Sequence, residues 1–525
     1  MIKVAQFYRN LKKHCLIMKF YTVLLFLFFS YLNLHSQNPE FYANSITIKD
    51  LKQKLTIYSS DEFQGRGTPS KGQDLALEFL SNQYKLNNIE PVLNGTYFQN
   101  VPLQINKKPD IELLLNDSIL TYYKDYISYN NGPSSKIETN ELVFVNYGID
   151  TKSYSDYKDL NLKNKIAVAI AGEPTDNDNN YIISKSEKKS KWSNGREEIA
   201  SKKDAAQKNG AKSLILINEN LFSRFSNEHR IQDNSDYEQR LDLGNLEAQD
   251  KTHVFIFNTK IGNELLKNIS KTNLKLSYKK NIDKIESSNV AAIIKGSEYP
   301  NEHIIITAHL DHVGTNDGEI YNGADDDGSG TVAILEIAEA FKKAVNDGNT
   351  PKRSIVFLHV TAEEKGLLGS QYYTDYSPLI PLKNTMTNLN IDMIGRTDPN
   401  RKEKNLNYIY LIGSDILSDD LHNVSERVAK NYSNLVLDYR YNDPTAIVFE
   451  SGRYIENQYY YRSDHYNFAK NNIPIIFYFA GTHVDYHMPT DTVDKIEFDL
   501  LLQRTQLIFH TAWELANRDE RIQNK

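Results

Sequence analysis

The alternation of apolar and polar positions divides the chain into segments of different texture. Near the start, residues 20–29 form an apolar run behind Lys3, Arg9, Lys12, Lys13 and Lys19, and the run gives out around Leu34 and Ser36. A positive flank, a short apolar stretch and a small residue at the exit are the pattern of an export signal. The run falls short of the roughly 20 apolar residues that a membrane span requires. Residues 1–36 are therefore expected to be cleaved, leaving no stable span, with an uncleaved anchor as the rival reading. From 45 to 105 the pattern is helical and then extended. Leu75, Leu77, Phe79, Leu80 and Tyr84 recur at mixed helical spacing, which predicts an amphipathic helix between a polar loop at 61–67 and a strand at 98–103.

Residues 138–270 differ. Short β-rich runs at 141–146 and 165–171 alternate with polar stretches, and 176–180 and 185–191 are dense enough in polar residues to be exposed loop. A helix at 202–210 and a buried strand at 211–218 follow. From 287 onward, apolar strand patterns at 290–294, 304–307, 354–360, 387–391, 408–412 and 473–479 alternate with helical ones at 331–345, 418–431 and 500–517. That rhythm predicts a layered α/β domain. Four segments are expected: a signal over 1–36, the first part of the α/β domain over 37–137, a β-rich insertion over 138–275, and the rest of the α/β domain over 276–525.

Composition narrows the function classes. At 525 residues more than one domain is expected, and 40% hydrophobic with 25% charged residues fits an ordinary globular protein. The net charge of −7 offers no basic footprint for nucleic acid. The only cysteine, Cys15, lies in the segment expected to be removed. Neither a disulfide framework nor a thiolate-bound metal is then available, so any metal site is built from His, Asp and Glu.

Five short segments supply such residues, each at or just after an apolar strand pattern. They are His309-Leu-Asp311, Asp325-Asp326-Asp327, Glu363-Glu364, Asp392 and His487. Taken singly, the aspartate run reads equally well as a solvated turn capping the next helix, and the glutamate pair as a charged turn. Taken together they place carboxylates and imidazoles where α/β sheets gather their ligands. The set suits a carboxylate-bridged pair of zinc ions with a general base beside it. His309 and Asp311 point the same way along a strand, so the Asp311 carboxylate is expected to accept the second ring N–H of His309. His312 faces the other way and is not expected to ligate. His359 reads as a core histidine, His483 and His487 compete for one ligand position, and either metal or Arg396 would partner Asp392.

At these residues the chain resembles peptidase family M28, the co-catalytic zinc aminopeptidases. The matching motifs are His309-x-Asp311, Gly323-Ala-Asp-Asp326-Asp-Gly-Ser-Gly330, Glu363-Glu364-x-Gly-Leu-Leu-Gly-Ser370, Asn390-Ile-Asp392-Met, and Tyr486-His487 before Asp491-Thr492. Tyr154-Ser-Asp-Tyr157, residues 165–168 and residues 210–215 resemble a protease-associated domain inserted into such peptidases. The resemblance implies a three-layer α/β/α domain with a mixed sheet and two zinc ions per chain. It implies one zinc on His309 and Asp392, another on Glu364 and His487, and Asp326 bridging them. Glu363 would be the general base, Asp311 a positioning carboxylate, and residues 459–461 a candidate source of a stabilising tyrosine. An exported aminopeptidase acting on peptides is the activity implied. The alternatives are a carboxypeptidase or dipeptidase on the same scaffold, a glutaminyl cyclase, which needs only one zinc, and a non-enzymatic receptor-like relative. No G-x-S-x-G or HExxH motif is present, which counts against serine-hydrolase and zincin chemistry.

Overall fold

The structure, a computed structural model, describes residues 38–129, 133–234, 241–244, 252–450 and 453–525. The export signal expected over residues 1–36 lies outside them. The chain forms two compact units. One comprises the residues up to Val101 together with Glu286–Lys525, and the other is Pro102–Ile285. The domain boundary expected after residue 137 falls inside the second unit. The chain passes between units within two long strands, Phe98–Leu115 and Leu274–Ile294, whose unbroken extended pattern carries no turn signal to mark the change.

The main sheet of the first unit includes a run of strands β1 (Leu274–Ile294, by its C-terminal part), β2 (Tyr299–His309), β3 (Arg353–Val360), β4 (Thr385–Ile391), β5 (Tyr408–Ile412), β6 (Val436–Asp438) and β7 (Ile475–Phe479). Their order in the sheet is β6-β5-β7-β4-β2-β3-β1. The central strands β3, β2, β4 and β7 run parallel, and β1 and β5 flank them antiparallel. Every residue of β3, β4, β5 and β7 is buried, as expected for parallel strands covered on both faces.

Helices cover one face, among them α1 (Ile48–Tyr58), α2 (Lys71–Leu86), α3 (Gly330–Asn346), α4 (Asp419–Tyr432) and α5 (Phe498–Asn517). Leu55, Leu80, Leu335, Val424 and Ile508 from these helices share a core with Ile304, Ile306, Ile355, Leu389 and Ile476 of the sheet. The alternate residues Ile305, Val356, Leu358, Ile475 and Phe477 face the opposite way, into a second core with Tyr373, Tyr459 and Phe468. The result is a three-layer α/β/α arrangement. Helices α1, α2 and α4 start at Thr47, Ser70 and Ser418, whose side-chain oxygens accept backbone N–H groups of the first turn. No helix among the described residues is long and apolar enough to cross a membrane.

The second unit carries a five-stranded sheet in the order Tyr126–Tyr129, His253–Phe257, Ser213–Ile217, Ile166–Ile170, Leu142–Phe144. Helix Gly195–Lys208 packs beside it, starting about two turns earlier than the sequence pattern indicates. Its Lys202 is fully buried and satisfied: Nζ donates to the Ile170 and Gly172 carbonyls and to Glu198.

His359, on β3, is buried, with Nε2 2.7 Å from the Tyr84 hydroxyl. Burial pushes its pKa down to about 3. An unfolded chain takes this proton near pH 6.5, so the folded state loses stability as pH falls below that value. Between pH 7 and pH 5 this one group accounts for about 2 kcal/mol. Denaturant unfolding at the two pH values should show His359→Gln losing less stability on acidification than the parent, by roughly that amount.

Candidate metal centre

Parallel strands bring their carboxyl ends to one edge of the sheet, and the five segments arrive there for that reason. His309 is the last residue of β2. Thr361 to Glu364 follow β3, Asp392 follows β4, and the loop carrying His483 and His487 follows β7. The acidic run 324–329 lies between β2 and α3, with Asp325, Asp326 and Asp327 all buried. Two donor groups result. One joins His309, Asp326 and Asp392; the other joins His312, Asp326, Glu364 and His487; in each, one donor atom per residue lies within 4.8 Å of the others. Asp326 belongs to both.

The distances define the first group closely. His309 Nε2 lies 3.2 Å from Asp326 Oδ1 and 3.7 Å from Asp392 Oδ1. In the second group, His487 Nε2 lies 3.0 Å from Asp326 Oδ2 and 3.1 Å from Glu364 Oε2. Glu363 belongs to neither group, yet its Oε2 is 3.9 Å from His309 Nε2. Two identical neighbouring side chains thus take different places.

Electrostatics point to a demand for positive charge. Burial alone would lower the His309 imidazole, but Glu363, Asp326 and Asp392 raise it well above its ordinary value. Against the same effect of burial, Asp326 and Glu364 carry His487 up to about 10. Glu363 is raised well above the usual carboxylate range, by burial first and then by Glu364, Asp464 and Asp392. Asp326 Oδ2 and Glu364 Oε1 are buried and, although imidazole nitrogens lie 3.0 and 2.9 Å away, make no aligned hydrogen bond with any described residue. A buried anion without a donor is costly, and divalent cations would satisfy these oxygens. A set of imidazoles and carboxylates without thiolate fits zinc.

The supports are largely backbone. The Asp327 carboxylate accepts N–H groups from His309, Gly330 and Met393, which ties β2, α3 and the segment after β4 together. Asp325 accepts the Gly395 N–H and lies 3.2 Å from His483. Asp491 accepts the N–H groups of Asp325 and Asp326. The run does cap α3, through Asp327, but as a buried element rather than a solvated one.

Several sequence expectations need correction. It is the backbone carbonyl of Asp311, not its carboxylate, that lies 3.0 Å from His309 Nδ1 and holds the ring. The Asp311 carboxylate instead accepts the Glu363 N–H at 3.1 Å, so it positions the glutamate. His312 was expected to face away. It is fully buried, with Nδ1 2.9 Å from Glu364 Oε1. Strand alternation stops at His309, so the parity argument does not extend three residues further. Arg396 lies 3.3 Å from Asp485, and Asp392 faces His309 instead. His483 pairs with Asp325, and His487 takes the place beside Glu364.

The cleft beside the centre is lined by Tyr459, Arg462, Phe477, Phe479, Thr482 and Tyr486, along with Met393 and residues of the two donor groups. Of the tyrosine patch 459–461, only Tyr459 lines it; Tyr461 is exposed. Tyr486, part of the Tyr486-His487 motif, is stacked on His487 at 3.9 Å, whereas Arg462 carried no sequence signal that singled it out.

Residues 289–512 match the model of peptidase family M28. Leucine aminopeptidase 1 of Coccidioides posadasii (strain C735) is 31% identical over 225 residues, 41% of this chain and 53% of that protein. Aminopeptidase YwaD of Bacillus subtilis (strain 168) is 27% identical over 242 residues, 45% of this chain and 46% of that protein. The chain spans about half the length of these curated relatives. Among solved structures, the aminopeptidase from Aneurinibacillus sp. strain AM-1 aligns with a TM-score of 0.45 at 19% identity, covering 92% of this chain and 97% of that one.

Gly323 opens the acidic run at φ +56°, and a Cβ there would lie 2.3 Å from the Asp326 carbonyl oxygen and 2.5 Å from the His312 ring. Gly323→Ala is expected to cost about 2 kcal/mol or more through backbone strain and this collision. A thermal melt should show a lowered midpoint, and metal analysis a reduced zinc content.

Proposed function

We propose that this chain, which belongs to peptidase family M28 through residues 289–512, is an exported aminopeptidase that removes N-terminal residues from peptides with two zinc ions. The observation that carries the reading is the pair of donor groups sharing Asp326, with the Glu363 carboxylate beside His309 and in neither group. His309 and Asp392 would hold one ion, Glu364 and His487 the other, and Asp326 both. Three carboxylates among these ligands offset most of the charge of two divalent ions, which makes their burial tolerable. Zinc bound there would supply Lewis-acid polarisation of a carbonyl and a water acidified to near neutrality.

The chain's own groups do the rest. Glu363 Oε2 takes the proton of the attacking water and returns it to the leaving amine. Burial and the neighbouring carboxylates raise its proton affinity above that of an ordinary carboxylate, which favours a group that must both take and return a proton. Asp311, through the Glu363 N–H, fixes where that carboxylate begins its reach. The Asp311 carbonyl sets the His309 ring so that Nε2 faces Asp326 and Asp392. A free substrate ammonium group would be drawn to the surplus of carboxylates. Phe477, Phe479 and Tyr459 offer an apolar surface to the first side chain. Arg462 in the same cleft favours a second reading, a dipeptidase or carboxypeptidase, since a guanidinium is suited to a substrate carboxylate. Export rests on the pattern of residues 1–36. We read residues 138–275 as carrying an inserted protease-associated domain.

Metal analysis of purified protein should find close to two zinc per chain. Amino acid p-nitroanilides should be cleaved and their N-acetylated forms left intact; cleavage of blocked substrates alone would refute aminopeptidase action. Glu363→Gln should keep its zinc and lose at least about 100-fold in turnover. Loss of metal in that variant would mean that the two glutamates have exchanged roles.

A further inference from the structure

His312 is buried in the second donor group. Its Nδ1 lies 2.9 Å from Glu364 Oε1 and 3.6 Å from Asp326 Oδ2, and its ring meets that of His487 edge to face at 5.6 Å. Neither ring nitrogen makes a geometrically aligned hydrogen bond with any described residue, and neither do Asp326 Oδ2 and Glu364 Oε1. A fully buried imidazole normally satisfies at least one nitrogen. Here a potential donor and two acceptors converge at close range without an aligned hydrogen bond, as ligands do around a common cation.

The ring is also held in place. Gly323 leaves room for it where any Cβ would collide. The fully buried Arg66 guanidinium fixes that loop by donating to the carbonyls of Asn322 at 2.7 Å and Gly323 at 2.8 Å.

We propose that His312 is a fourth protein donor at the metal position formed by Asp326, Glu364 and His487. The inference rests on the two-zinc reading above. It makes the two positions unequal. The position of His312 has four protein donors, the number that closes a structural zinc site. The position of His309 has three, Asp326 and Asp392 being the others, the number that leaves one place open for water or substrate. The second position therefore retains its zinc more tightly, and the first is the one that meets the substrate.

Dipicolinate titration of the zinc-loaded full chain, with zinc counted after removal of the chelator, tests this without any activity measurement. The first equivalent should leave at low chelator and the second only at about tenfold higher chelator or more. In His312→Asn the two equivalents should leave together. Simultaneous loss from the parent protein, or an unchanged two-step loss from the variant, would overturn the proposal. Should the variant fail to fold, zinc X-ray absorption of the parent protein carrying one equivalent decides: two imidazoles per zinc support the assignment, one refutes it. Fewer than two zinc on the fully loaded parent protein would instead sink the two-metal reading, and the imidazole count would still judge His312 by itself.

Discussion

Three consecutive aspartates are buried at the end of a parallel sheet, and the rest of the centre is arranged around meeting that constraint. A buried carboxylate needs hydrogen-bond donors or opposite charge, and adjacent residues cannot share the same partners. Each of the three finds a different solution. Asp325 turns to the Gly395 N–H and His483. Asp327 collects N–H groups from three separate segments. Asp326 faces the imidazoles of His309, His312 and His487 among the described residues, and is the one that would bridge the proposed metals. The backbone N–H groups of Asp325 and Asp326 are themselves anchored on Asp491, more than 160 residues further along. Displacing any of these partners strands a charge in the interior, so the run couples the ends of β2, β4 and the loop after β7.

The glutamate pair shows the same logic in miniature. Adjacent residues beyond a strand end cannot both face the same point. Glu364 meets two imidazoles, and although burial acts to raise its carboxyl, those partners hold it near 2. Glu363 meets mostly other carboxylates, and burial with their repulsion raises it. One is thereby kept as an anion fit to ligate, and the other is given an affinity for protons. Identical side chains acquire opposite proton affinities from position alone.

The strands were the most legible part of the chain, because both faces of a parallel sheet are buried and its strands are written as unbroken apolar runs. Runs such as residues 304–307 and 387–391 stood out for that reason, and a polar residue closing such a run was itself a signal. What the pattern could not convey was contact between distant segments. Arg396 and Asp485 are 89 residues apart, and nothing local pairs them. Asp325 and Asp327 work by accepting backbone N–H groups, which every residue but proline owns, so no partner is spelled out. His312 misled by proximity: alternation holds only while the chain stays extended, and β2 ends at His309. The passage between the two units was hidden for the opposite reason, since Phe98–Leu115 and Leu274–Ile294 continue as strands across it.

A centre of this kind draws on the stability of its surroundings. Asp311, Asp327 and Asp464 all have pKa values raised first of all by burial, so each is kept in the fold at some cost. Helix α3 sits directly behind the acidic run, with Val332, Leu335 and Phe341 in the principal core. That packing holds the carboxylates together against their mutual repulsion. Cations bound as proposed would remove much of the repulsion, and a ligand that binds only the folded state stabilises it. Metal occupancy and folding are then two sides of one equilibrium, with the apolar helix layer making the charged edge possible and the metals making it comfortable.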